Sequence, residues 1–145
     1  MVRYRVLLVE DNPADVRLTR ETLRESPLGI ELDVAPDGAE ALDYLFRRGH
    51  YRDVPRPDLV LLDLNLPKVD GYAVLQAVKT TEALRMLPVV VLTTSRDPYN
   101  VQACYRAYAN AYLVKPIALD EFMAMLHSLE EFWFSRVLLP SRVQP

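Results

Sequence analysis

Cysteine is almost missing from this sequence: Cys104 is the only one among 145 residues. No intrachain disulfide can form, and a cysteine-built structural zinc site is excluded. Cys104 itself reads as a small packing residue, and the cytoplasm is the expected compartment. Long apolar runs are missing too. Nothing approaches the roughly 18 consecutive apolar residues of a membrane span. The opening Met1-Val2-Arg3-Tyr4-Arg5 is basic, but neither a long apolar core nor a small-residue cleavage site follows, so a signal peptide is not expected. Basic charge is not in excess: 17 Lys+Arg face 20 Asp+Glu, a net charge of −3. Binding to a nucleic-acid backbone, which needs a basic surplus, is therefore not expected. Glycine is scarce, four residues in all, and no Walker A or kinase-type glycine-rich loop can be drawn, which argues against an ordinary nucleotide-driven enzyme. There is no internal repeat and no Gly/Ser linker. What remains is half hydrophobic and 26% charged, the composition of one globular domain.

Short apolar runs alternate with amphipathic segments along the chain. Arg5-Val6-Leu7-Leu8-Val9-Glu10 reads as a strand buried on both faces. Asn12-Pro13 can cap and open a helix to about Glu25, before Ser26-Pro27. Residues 30–34 form a second strand. Asp37-Gly38 precedes a helix with Ala41, Leu42, Leu45 and Phe46 at helical spacing, which Gly49 should end. Strands follow at 59–62, 88–92 and 111–114, with helices at 72–80, 98–107 and from Leu119 onward. Five strands alternating with five helices imply a doubly wound α/β fold: a parallel sheet with helices on both faces. In such a fold ligands gather at the carboxyl ends of the strands.

Those ends carry a short list of polar residues. The first strand ends in Glu10-Asp11, the third in Asp63 with Asn65 two positions on, the fourth in Thr93-Thr94-Ser95 and the fifth in Lys115-Pro116. Three gathered carboxylates repel one another, and a hard divalent cation relieves that. An all-oxygen set without nearby His or Cys favours Mg²⁺ over Zn²⁺; His50 and His127 read as solvated side chains. Lys115 can hold a phosphate as a point charge, and the Thr93 hydroxyl can donate to one. Asp63 is then the candidate nucleophile for phosphoryl transfer, since a carboxylate can form an acyl phosphate.

In this arrangement the chain resembles the receiver domain of two-component response regulators, of the single-domain chemotaxis type. The resemblance rests on Val9-Glu10-Asp11-Asn12, the run from Asp58 to Pro67, Asp70-Gly71, Leu92-Thr93-Thr94-Ser95 and Tyr112-Leu113-Val114-Lys115-Pro116, together spanning residues 5 to about 130. It implies a flavodoxin-like strand order 2-1-3-4-5. It implies Asp63 as phosphoacceptor, Asp11 as a direct Mg²⁺ ligand, Glu10 acting through water and the Asn65 backbone carbonyl as a further ligand. Thr93 resembles the switch hydroxyl, Tyr112 the switch aromatic, and Lys115 the phosphate-binding lysine beside a cis Lys115–Pro116 bond. Tyr108 departs from the small residue, often glycine, usual at its position. Ala118 is a poor cap for the last helix, which Asp120 and Glu121 can partly offset.

A narrower resemblance concerns two segments. The long connection Tyr51 to Asp58 and the tail from Glu131 to Pro140 are similar to those of response regulators that partner phytochrome-type histidine kinases. A receiver domain over 1–130 and an extension over 131–145 are expected. Leu129, Phe132, Trp133 and Val137 continue at helical spacing, which points to a longer last helix and a homodimer face. Function is then expected to be phosphoryl transfer from a sensor histidine kinase to Asp63, read out by protein–protein contact or dimerisation, since no output domain is expected. Two rivals fit less well. A haloacid-dehalogenase-like phosphatase needs a second Asp where Asn65 stands. A flavodoxin-like cofactor carrier would meet repulsion between its phosphate and Glu10-Asp11. The chain is therefore expected to be a switch, not a turnover enzyme.

Overall fold

The computed structural model describes residues 2–143. Five strands form one parallel sheet: β1 (Tyr4–Val9), β2 (Ile30–Ala35), β3 (Leu59–Leu62), β4 (Val89–Thr93) and β5 (Ala111–Val114). Their order is β2-β1-β3-β4-β5, and every neighbouring pair is parallel. The five helices are α1 (Pro13–Arg24), α2 (Gly38–Leu45), α3 (Gly71–Thr80), α4 (Pro98–Arg106) and α5 (Leu119–Glu131). Strand order reverses after β1, so α1 and α5 share one face while α2 and α3 pack together on the other.

The central strands read as solid apolar runs because both of their faces are covered. Val6 to Val9, Leu59 to Leu62 and Val89 to Leu92 are all buried. One core lies against α2 and α3, built on Leu7, Val9, Val60, Leu62, Ala41, Leu45, Val74 and Leu75. The other lies under α1 and the C-terminal segment, with Val6, Leu8, Leu59, Leu61, Leu23 and Leu129. Polar caps set the helix starts. Asn12 accepts from the Ala14 and Asp15 amides, Asp37 from Glu40, Asp70 from Ala73 and Asp97 from Tyr99. Ala118 makes no such bond.

One helix end differs from the expectation, and a second is made by an unusual residue. Gly49 does not stop α2; it begins a short 3₁₀ turn, Gly49–Tyr51. Arg47 ends the helix with φ of 55°, and the Arg48 and Arg47 amides return to the Asp43 and Tyr44 carbonyls. This is a Schellman motif with arginine in the left-handed position. Tyr108, with φ of 71°, ends α4 in the same way, the Ala109 and Tyr108 amides returning to Cys104 and Tyr105. Glycine takes this conformation without steric cost, which is a conformational reason for the small residue expected at position 108.

The tail is also not one continued helix. After α5 the chain widens into a π-turn, Phe132–Arg136, closed by the Val137 amide on the Phe132 carbonyl at 2.9 Å. The extra residue in that turn rotates the following side chains. Phe134 and Leu139 enter the second core and are 4% and 1% exposed, whereas Phe132 and Leu138 face outward. The segment then crosses the amino ends of β1 and β3. There Ser141 and Arg142 bond the buried carboxylate of Asp58, and the Arg142 guanidinium stacks 4.7 Å from the Tyr4 ring.

Candidate functional site

The carboxyl ends of β1, β3, β4 and β5 bring the acidic and hydroxyl residues together. Glu10 and Asp11 follow β1 and Asp63 follows β3. One carboxylate oxygen from each lies within 4.8 Å of the others. Glu10 and Asp63 are buried and Asp11 is exposed, so the group opens to solvent through Asp11. The donors are all hard oxygens, which suits a divalent cation such as Mg²⁺ or Mn²⁺. Register fixes this cluster. Val9 pairs with Leu62, and the Asp63 amide donates to the Val9 carbonyl at 3.0 Å, so both strands end at the same level.

Lys115 closes the cluster from β5. It is 8% exposed. Its Nζ bonds the Glu10 carboxylate and lies 3.0 Å from Asp15 Oδ2 and 3.5 Å from Asp63 Oδ2. Burial pulls the ammonium toward the neutral form, but hydrogen bonds to Glu10 and Asp15 outweigh it and hold its pKa above the ordinary lysine value. Glu10 is pushed up to about 7, chiefly by burial and also by Asp63, with Lys115 opposing. A buried carboxylate beside another accepts a proton readily unless further positive charge is supplied.

Asp15 was absent from the sequence-predicted set. It stands on the first turn of α1, and only the packing of that helix beside β5 brings it to Lys115. Asn65 lies on the β3–α3 loop, exposed, its amide donating to Asp63 Oδ1 at 3.4 Å. The Lys115–Pro116 bond, expected cis, is trans; no cis peptide occurs among the described residues. The trans isomer of an X–Pro bond is the lower one by roughly 0.5–1 kcal/mol, and Lys115 reaches the carboxylates from it.

Thr93 is the last residue of β4 and is fully buried, with no hydrogen-bond partner for its Oγ1. An orphaned buried hydroxyl at a strand end is unusual, because buried polar groups nearly always pair. Tyr112 on β5 is half-buried against the first core, and its hydroxyl donates to the Ser95 carbonyl at 2.9 Å. The ring is thereby tied to the loop that follows Thr93. The chemistry available is attack by a buried carboxylate on an electrophilic phosphorus, with Lys115 and a divalent cation to receive its oxygens.

Known proteins are similar over nearly the whole chain. The family model described as the response regulator receiver domain matches residues 6–127. The chain is 45% identical over 136 residues to the response regulator Rcp1 of Synechocystis sp., covering 94% of this chain and 92% of that one. The crystal structure of the Mn²⁺-bound form of Rcp1 superimposes with a TM-score of 0.92 at 44% identity, over 95% of this chain and 99% of that one. The crystal structure of the phosphorylated cyanobacterial phytochrome response regulator RcpA does so with a TM-score of 0.93 at 42% identity, over 96% and 99%.

Proposed function

The chain belongs to the response regulator receiver domain family, and on that premise we propose that Asp63 accepts a phosphoryl group from a sensor histidine kinase of the phytochrome type. The observation that carries this is the buried Asp63 carboxylate, 3.5 Å from Lys115 Nζ and grouped with Glu10 and Asp11 at the strand ends. An Asp63 oxygen attacks phosphorus as the bond from phosphorus to the kinase imidazole breaks. An acyl phosphate forms and the imidazole nitrogen leaves with the electron pair. Lys115 gives up part of its contact with Glu10 to meet a phosphoryl oxygen. Thr93 turns its unpaired hydroxyl toward another.

A divalent cation, Mg²⁺ in our reading, supplies charge neutralisation between the attacking carboxylate and the phosphoryl oxygens. Asp11 and Asp63 would hold it, with Glu10 through water and the Asn65 carbonyl completing the protein donors. The Mn²⁺-bound form of Rcp1 supports a divalent ion of this kind. The phosphoacceptor reading makes the chain a switch with no small-molecule turnover, which we place in the cytoplasm; among the described residues no helix is long and apolar enough to cross a membrane.

Kinase docking has a surface beside the site. Ile117 and Leu119 are largely exposed next to Lys115, at the mouth of a cleft of about 260 Å³ lined also by Leu18 and Phe122. Apolar side chains exposed around a reactive centre suit a transient protein partner. Output runs through the Thr93–Tyr112 side of the molecule and through a homodimer formed by the last helix and tail. Phe132, 55% exposed, and Leu138, 76% exposed, support that face.

Acetyl phosphate with Mg²⁺, followed by intact-mass spectrometry, tests the phosphoacceptor. Wild type should gain one phosphoryl group, Asp63→Asn none, and wild type in EDTA none. An equal adduct on Asp63→Asn would remove Asp63 from the role.

A further inference from the structure

The β3–α3 loop, residues 64–70, carries Asn65 two positions after Asp63, and α2 is pressed against its far side. A Cβ built on Gly38 would lie 1.8 Å from the Val69 carbonyl oxygen and 2.6 Å from its carbon. No side chain fits there, so the first residue of α2 touches the loop backbone itself. Asp37, immediately before, is buried and lies 3.6 Å from Lys68 Nζ, while its other oxygen caps α2 through the Glu40 amide at 2.8 Å. Lys68 takes a left-handed conformation, φ 66°, which turns the Val69 carbonyl onto Gly38.

At its base the loop is closed by the Gly71 amide on the Leu64 carbonyl, 3.0 Å. Gly71 is the second close approach: a Cβ there would meet the Asp63 carbonyl oxygen at 2.0 Å. The loop is therefore an arc pinned at its base and pressed at its crown. Asn65, Pro67 and Lys68 on the arc are exposed, and Leu64, Leu66 and Val69 are only partly buried against the first core, so the arc has modest packing of its own. α2 has much more. Ala41 and Leu45 are in the core, and the Tyr44 hydroxyl bonds Asp33 on β2. When the two are forced apart, the arc yields and the helix stays.

We propose that Gly38 and Asp37 are positioning residues for the cation site: the start of α2 seats the loop that presents the Asn65 carbonyl beside Asp63. This rests on the cation and phosphoacceptor reading above and extends it to two residues that touch neither ion nor phosphate. Supporting groups that orient a metal ligand change affinity by about 10–100-fold when lost.

The test is calorimetric titration of the full chain with MgCl₂, with the thermal midpoint of the same sample in EDTA. Gly38→Ala should bind Mg²⁺ about tenfold more weakly. Its rate of phosphorylation by acetyl phosphate should return to the wild-type value at saturating Mg²⁺. Asp37→Asn keeps the cap and removes the charge opposite Lys68. It should fold normally and weaken Mg²⁺ binding about threefold, in the same direction. If Gly38→Ala does not fold, Asp37→Asn alone decides. Unchanged Mg²⁺ affinity in the folded variants overturns the proposal while wild type still binds. A wild type that binds no Mg²⁺ overturns the cation reading itself, and this proposal with it.

Discussion

Thr93 and Glu10 show the resting site holding groups in states that suit them badly. The Thr93 hydroxyl is buried without a partner, and leaving such a group unpaired costs about 1–3 kcal/mol. Thr93→Val replaces the hydroxyl by a methyl of the same shape. It should raise the stability of the unphosphorylated protein by about 1 kcal/mol in urea unfolding, while abolishing any phosphorylation-dependent change in the Tyr112 region followed by NMR. A loss of stability would show that the hydroxyl is already satisfied. Glu10 makes the same point through pH. Its folded-state pKa stands near 7, above the ordinary 4.5, because burial penalises the charge. A raised carboxyl pKa means that the folded state binds the proton more tightly. The associated stability is complete below about 4.5 and is lost as pH rises through about 7. In EDTA, the urea midpoint of wild type minus that of Glu10→Gln should therefore be larger at pH 5 than at pH 8. Cation binding needs the carboxylate, so Mg²⁺ affinity should fall below pH 7 in wild type with a proton released on binding. A pH-independent difference between the two proteins would contradict the assignment.

Among the elements, what was legible in the sequence divides by the kind of signal each one left. The strands β1, β3 and β4 announced themselves as unbroken apolar runs, and the acidic and hydroxyl residues at their ends, with Lys115 after β5, announced the candidate site. The caps of α1 and α2 were visible as Asn12 and Asp37 before helical spacing, while those of α3 and α4, Asp70 and Asp97, emerge from the structure. The ends of α1, α3 and α4 were legible to within a residue, but that of α2 was not, because the left-handed termination at Arg47, like the one at Tyr108, is a backbone conformation that neither side chain advertises. Gly49, the obvious stop, lies two residues too late. Asp15 escaped for a related reason: an acidic residue in a first helical turn has a sufficient local explanation in the helix dipole, and only the fold brings Lys115 to it. Non-glycine residues in the left-handed conformation cost about 1–2 kcal/mol, part of which glycine returns through its freer unfolded chain. Tyr108→Gly and Arg47→Gly should thus each stabilise the protein by about 0.5–1 kcal/mol. Tyr108→Ala, which keeps the strain, should be near neutral. Chemical denaturation of the three variants checks this, and a destabilised Tyr108→Gly would mean that the exposed ring has a contact worth more than the strain.

For the whole molecule, a chain of 16.6 kDa, the proposed dimer has to be squared with the observed course of the tail. Helical spacing made Leu129, Phe132, Trp133 and Val137 one stripe, but the π-turn breaks it. Phe134 and Leu139 are core, and Phe132 and Leu138 are left outside. These two side chains alone are too small for a stable dimer, which buries about 800 Å² on each partner. The surface that continues from Phe132 runs over Trp133 and Met125 to Leu113 and Ala111 on the edge strand β5, around an apolar cleft of about 360 Å³. A twofold dimer that includes Phe132 must therefore extend along α5 and β5, and Phe132 of one copy has a cleft to enter in the other. Tyr112 belongs to the same strand but packs against the opposite core, its hydroxyl tied to the loop after Thr93, so a signal from the site would reach this face through the backbone of β5. If phosphorylation shifts β5, the proposed dimer and the acyl phosphate are coupled, and by reciprocity each favours or opposes the other by the same free energy. Light scattering during size-exclusion chromatography should give twice the chain mass for wild type and the single-chain mass for Phe132→Asp. The dimer dissociation constant of wild type should change on treatment with acetyl phosphate and Mg²⁺, and that of Asp63→Asn should not. A Phe132→Asp protein that remains dimeric would move the interface away from α5 and β5, and with it the path from Thr93 through Tyr112 to the partner copy.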